Sequence, residues 1–280
     1  MAQDPGDAAG ALLVGAMWWY SATVLQPAQA RLRKNGRPGS LLGEAGLAPP
    51  RPGLGPRFCL EQKGPVLLGR PTEHDHLVAE FDRLAEAYDA YVRPFSTPIF
   101  EEALAVLGPL LAPDARILDA GCGPGRELRR MAARVPDGEV VGVDLAAGMI
   151  VSAHRAAWAA GLDNTAFVQA DVGDLPRQFD AQFDLAYNCL AHHHYPDPLA
   201  AATSIRRVLR PGGIYAIIDP GPAWYIALSS PLARLADPGW AGFHTPEQFR
   251  ELLTSAGFAH TSWQELLPGF GLCLGKSATS

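Results

Sequence analysis

The stretch Ile117–Gly125, reading Ile-Leu-Asp-Ala-Gly-Cys-Gly-Pro-Gly, constrains this chain more than any other. An apolar strand ends in an acid, glycines follow at alternate positions, and a helix-compatible run begins at Arg126. Alternate glycines let the backbone turn tightly and approach a ligand with no Cβ in the way. The helix behind the turn presents its N-terminal amides and positive dipole end to whatever sits there. Strand, glycine loop and helix together form a nucleotide-type binding unit.

Asp119 narrows the ligand. A dinucleotide site uses the fingerprint G-x-G-x-x-G to hold a pyrophosphate. Here the spacing is G-x-G-x-G (Gly121, Gly123, Gly125), with a carboxylate two residues before the first glycine. That anion would repel a pyrophosphate and attract an ammonium or a sulfonium. The loop therefore suits a ligand with a positive centre and no phosphate, and S-adenosylmethionine fits that description. Both the spacing and Asp119 argue against the competing reading of a nicotinamide-dependent oxidoreductase.

On these residues, with further motifs in the same order, the segment Leu77–Lys276 resembles the class I S-adenosylmethionine-dependent methyltransferases. The nearer likeness is to the small-molecule branch of ubiquinone and menaquinone biosynthesis. The resemblance implies an α/β, Rossmann-like fold: a seven-stranded, mostly parallel sheet in the order 3-2-1-4-5-7-6, strand seven antiparallel, with helices on both faces. Along the chain, Phe81–Asp89 is similar to the family's N-terminal helix, where Tyr88 either caps the methionine end of the cofactor or belongs to the apolar stripe. Asp144 ends the second strand about twenty residues after the loop, placed to accept from both ribose hydroxyls, and Leu145 follows it. Asp171 and Val172 match the positions that accept from the adenine amino group and donate to its ring. Cys122 within the loop and Asn188 at the end of strand four complete the expected cofactor contacts.

After strand four the chain reads Asn188-Cys189-Leu190-Ala191-His192-His193-His194-Tyr195-Pro196-Asp197. Open parallel sheets bind ligands at the carboxyl ends of their strands, so this segment must border the pocket. Three consecutive histidines cannot converge on one ion, and no acid cluster stands at ligand spacing; no metal is expected. His193 and His194 are the candidate general bases, with His194 favoured because strand alternation puts it on the side of Asn188. The alternative is that both pin the loop. Pro220–Phe243, with Trp224, Tyr225 and Phe243, reads either as an aromatic substrate lid or as a cover for the sheet. As a lid it implies an aromatic or lipophilic acceptor.

Outside this region the sequence divides into an accessory apolar segment (1–34), a Pro/Gly-rich linker (35–71) and the cofactor-binding domain (72–280). The run Ala11–Leu25 is shorter than the roughly 20 residues that span a bilayer and is preceded by acids. It reads as a packing helix, with peripheral membrane contact the alternative. A net charge of −6 disfavours nucleic-acid partners. Four scattered cysteines read as reduced thiols, consistent with a cytoplasmic monomer or homodimer. The expected activity is transfer of a methyl group from S-adenosylmethionine to a small-molecule acceptor at oxygen, nitrogen or carbon. The remaining alternative is a protein that binds the cofactor without transferring methyl.

Overall fold

The computed structural model describes residues 57–59, 96–236 and 240–279. Among them an eight-stranded sheet is the organising layer. In chain order its strands are β1 (Arg57–Cys59), β2 (Arg116–Ala120), β3 (Glu139–Asp144), β4 (Thr165–Gln169), β5 (Phe183–Cys189), β6 (Leu209–Pro220), β7 (His260–Leu267) and β8 (Phe270–Lys276). They lie in the order β1-β4-β3-β2-β5-β6-β8-β7. Counted from β2, this is the expected 3-2-1-4-5-7-6, and β8 pairs antiparallel with both β6 and β7. The addition is β1, which pairs parallel with the edge strand β4. It falls inside the segment read as linker, where its three residues are too few to show a period.

The helices are α1 (96–107), α2 (Arg126–Ala132), α3 (Ala147–Ala159), α4 (Pro198–Val208), α5 (Ala223–Ala236) and α6 (Pro246–Ser255). Alternation along each strand sends its side chains to two separate cores. Ile117, Val140, Leu185, Tyr187 and Ile218 pack with Phe100 of α1, Leu128 of α2 and Ile150 of α3. Leu118, Val141, Ala186, Tyr215 and Ile217 pack with Ile205 of α4 and Phe249 of α6. Both faces of the sheet are thus covered, as a largely parallel sheet requires.

Local signals account for the helix ends. Thr245 and Gln248 form a reciprocal capping box with Pro246 behind them. Asp197 caps α4 by accepting from Ala200. Ala146 cannot cap α3 with its own side chain; instead Asp144 Oδ1 accepts the Ala146 N–H at 2.9 Å. Strand four proper runs one residue further than the sequence implies, and β6 starts before the Pro211–Gly213 turn, with a register shift between Phe183 and Leu185. Tyr88, the 1–34 segment and the first part of the 72–280 domain lie outside the described residues, as does most of 35–71.

Candidate cofactor and acceptor site

At the carboxyl ends of β2–β5 a cavity of about 360 Å³ opens above the glycine loop. The loop is locked from both sides. Gly121 and Cys122 donate their N–H groups to the Val143 carbonyl at 2.8 and 2.9 Å, and Gly123 N–H donates to Asp144 Oδ2 at 2.9 Å. Gly121 has φ +78°, and a Cβ there would lie 2.8 Å from Ala191 Cβ, so only glycine lets the His-rich loop close down on it. Above Gly123 nothing stands within 4 Å of a virtual Cβ, which leaves the loop's rim open to a ligand.

Six carboxylates border this cavity, Asp119, Glu127, Asp144, Asp171, Asp174 and Asp197, and no Lys or Arg side chain does so among the described residues. Asp119 is 2% exposed and accepts from the Tyr187 hydroxyl at 2.8 Å. Burial raises its pKa well above the usual carboxylate range; the Tyr187 hydrogen bond opposes this, and the charges of Glu127 and Asp144 add to it. A buried acid among other acids is best relieved by a cation. Asp171 Oδ1 accepts from Gly173 N–H at 2.8 Å, capping the turn over Val172–Asp174. The donor set fits a cationic nucleoside such as S-adenosylmethionine and opposes a pyrophosphate. Cys122 and Cys189 also border the cavity. Burial pushes both thiols well above the usual cysteine range, which removes the thiolate that nucleophilic chemistry needs.

Of the residues read from sequence, Asp119, Gly121, Cys122, Gly123, Asp144, Leu145, Asp171, Val172 and His194 border the cavity. Gly125, Asn188, Trp224, Tyr225 and Phe243 are not among the residues that border it. Gly125 is needed for packing: with φ +72°, its virtual Cβ would sit 2.9 Å from Ala153 Cβ of α3. Asn188 is fully buried and, by alternation with Tyr187 and Cys189, turns to the opposite face from Asp119. It is Cys189 that reaches the cavity. Trp224 is 54% exposed, and Tyr225 packs on Trp224 and Phe270. Phe243 packs on Trp240 and His193. These three aromatics lie outside the cavity lining.

The three histidines diverge. Leu190, a bulky residue at φ +53°, starts the turn, an uncommon conformation that marks an over-determined site. His194 faces the cavity. His193 turns to the end of β6, where its Nδ1 lies 2.8 Å from Asp219 Oδ1 and its backbone N–H donates to Asp219 Oδ2 at 3.1 Å. Asp219 is 1% exposed, so this pair is a fixed one. The His193 carbonyl accepts from Ala241 N–H at 2.7 Å, which ties the loop to the segment carrying Phe243. Sequence reading ended strand five at Asp219 and gave it no role; its partner is 26 positions away, beyond any spacing signal.

His192 points inward and is 1% exposed, against Tyr195, His244 and Phe249. Neither ring nitrogen has a hydrogen-bond partner among the described residues. Burial lowers its pKa to about 3; the Asp219 charge opposes this, while His244 and His193 add to it. Between pH 3 and 6.5 the unfolded chain takes up a proton that folded His192 refuses, so stability falls as pH drops through that window. The slope is at most about 1.4 kcal/mol per pH unit. His192→Phe is expected to flatten the acid side of the stability profile, and denaturant titrations at pH 7 and pH 4.5 check it. Equal acid sensitivity in the variant would refute the assignment.

The fold, the acid-flanked glycine loop and the carboxylate-lined cleft together define a Rossmann-like domain for an adenosyl cofactor with a positive centre. Comparison with known proteins gives the same class. Residues 117–213 match a family described as a methyltransferase domain. Over 143 residues the chain is 35% identical to nocamycin O-methyltransferase of Saccharothrix syringae, covering 51% of this chain and 50% of that one. Over 230 residues it is 28% identical to demethylmenaquinone methyltransferase of Symbiobacterium thermophilum, covering 71% and 91%. An S-adenosylmethionine-dependent methyltransferase from Aquifex aeolicus shares the fold at TM-score 0.54 and 18% identity, over 71% of this chain and 97% of that one. Residues 117–213, which hold the glycine loop and most of the cavity lining, thus match a methyltransferase domain, and the carboxylate-lined cleft fits S-adenosylmethionine as the cofactor. It spans about half to two thirds of the length of several curated relatives it matches. No helix among the described residues is long and apolar enough to cross a membrane.

Proposed function

We propose that this protein methylates a hydroxyl group of a small, uncharged aromatic or lipophilic molecule, with His193 as the base. The observation that carries this reading is the His193–Asp219 pair. A carboxylate accepts, so Nδ1 holds the proton and Nε2 is the basic nitrogen. The same carboxylate fixes the backbone of His193, so ring and loop are held together. A hydroxyl must lose a proton as it is methylated, and a held imidazole is suited to take it. His194, favoured from sequence alternation, borders the cavity, while the Asp219 carboxylate meets Nδ1 of His193.

The bound cofactor supplies an electrophilic methyl on a sulfonium. This chain's residues hold the adenosyl end over Asp144 and Asp171, keep carboxylates beside the positive centre, and align the acceptor for in-line attack. Phe243 stands with its ring centroid 5.2 Å from that of His193, and Trp240 packs on Phe243. An apolar wall beside the base favours an acceptor with an aromatic or lipophilic body. Two relatives are named for O-methylation of elaborate small molecules, nocamycin and 27-O-demethylrifamycin SV. Incubation with labelled cofactor and matched phenols, quinols and amines tests the reading. Label is expected in phenols or quinols and not in the amines. Transfer to amines alone would overturn the hydroxyl assignment, and cofactor binding with no transfer to any acceptor would favour the non-methylating alternative.

A further inference from the structure

The sheet order places the cavity's two ends on different strands. Asp144 and Asp171 follow β3 and β4, while Asp119 and Cys189 lie at the ends of β2 and β5. With β4-β3-β2-β5 adjacent in the sheet, the adenosine end and the methionine end lie side by side along it. At the second end two residues outside every sequence motif enter the lining, Ser96 of α1 and Glu127 of α2. Their helices are joined by the Glu101–Arg130 ion pair, which fixes one beside the other.

Ser96 is the unusual member. It is 3% exposed, and its hydroxyl has no hydrogen-bond partner among the described residues. Ser229, Ser230 and Thr254 each donate to the carbonyl four residues back. Ser96 and its neighbour Thr97, at the start of α1, both leave a buried hydroxyl unpartnered among the described residues, and of these two only Ser96 borders the cavity. A buried hydroxyl left open costs free energy unless a ligand fills it. Glu127 is near Asp119, Tyr187 and Cys189, since its charge raises the pKa of all three groups. That places its carboxylate over β2 and β5, at the same end as Ser96.

We propose that Ser96 and Glu127 read the amino-acid head of the cofactor, the Ser96 hydroxyl donating to its carboxylate and Glu127, beside Asp119, accepting from its ammonium. The inference rests on S-adenosylmethionine being the ligand of this cavity. It assigns the zwitterion to a donor and an acceptor set on two rigidly paired helices. A ligand that keeps the adenosine and the sulfur but lacks the head forfeits both contacts.

Calorimetric titration of the full chain with S-adenosylhomocysteine and with 5′-methylthioadenosine separates this from general damage to the pocket. Ser96→Ala is expected to weaken S-adenosylhomocysteine about 10-fold, and Glu127→Gln about 10- to 100-fold. Both variants should bind 5′-methylthioadenosine like the wild type, and Ser96→Thr should restore most of the lost affinity. Equal weakening of both ligands, or unchanged affinity for S-adenosylhomocysteine in both variants, would overturn the assignment. If the wild-type chain binds neither ligand, the cofactor reading itself falls, and this inference with it.

Discussion

Asp144→Ala is expected to weaken S-adenosylhomocysteine binding by about 100-fold, because the residue acts twice. Its carboxylate already holds the loop, through Gly123 N–H on Oδ2 and Ala146 N–H on Oδ1. Each oxygen has a second lone pair, and a residue so placed at the end of β3 is positioned to accept the ribose hydroxyls as well. Hydrogen bonds to a charged acceptor are worth roughly 1.5–3 kcal/mol each, and each 1.4 kcal/mol is about tenfold in affinity. Asp144→Asn keeps one acceptor oxygen and replaces the other by a donor, so it should fall between the wild type and the alanine variant. Calorimetry gives the affinities, and circular dichroism shows whether the variants fold. A folded alanine variant binding within threefold of the wild type would remove Asp144 from the site.

The double duty of Asp144 also shows what the sequence could and could not convey. Its place at a strand end after the glycine loop was legible, because both signals are local: a short apolar run and a fixed interval. The helix behind it, lacking a capping side chain at Ala146, was equally legible as a gap, and the carboxylate two residues earlier takes up the Ala146 N–H. Tertiary partnerships were not legible in this way. Asp219 meets His193 only because β5 and β6 pair in parallel, with Cys189 opposite Ile218. Nothing within either segment reports that register. The face that Asn188 takes was hidden for a related reason, since side-chain alternation fixes a face only once the strand's true end and its neighbours are known. Glu127 and Ser96 carry no motif at all. They reach the cavity because α1 and α2 pack side by side on one face of the sheet, an outcome of core packing and of the Arg130–Glu101 pair. The added strand β1 was hidden by its length and by the prolines and glycines around it.

The largest effect on turnover is expected at the His193–Asp219 pair. His193→Gln should lower the rate of methyl transfer about 100-fold or more while leaving S-adenosylhomocysteine affinity unchanged, because His193 lies outside the cofactor cavity lining. The sign of the pH effect follows from the role. A base works only when unprotonated, so the wild-type rate should rise with pH through the histidine's titration, and that limb should vanish in His193→Gln. Asp219→Asn should act through the same atom. An amide in place of Oδ1 can present a donor to Nδ1, which moves the imidazole proton to Nε2, and it weakens the hold on the His193 backbone N–H. The ring would then meet the acceptor hydroxyl with a proton already in place, and the rate should fall by a similar factor. His194→Gln should keep the pH limb, since the base is assigned to His193, whose Nδ1 the Asp219 carboxylate holds. Rate against pH for the three variants, each checked for cofactor binding, distinguishes the roles. A His193→Gln enzyme that keeps the wild-type profile within a factor of a few would mean that the pair only braces the loop and that catalysis here is alignment alone.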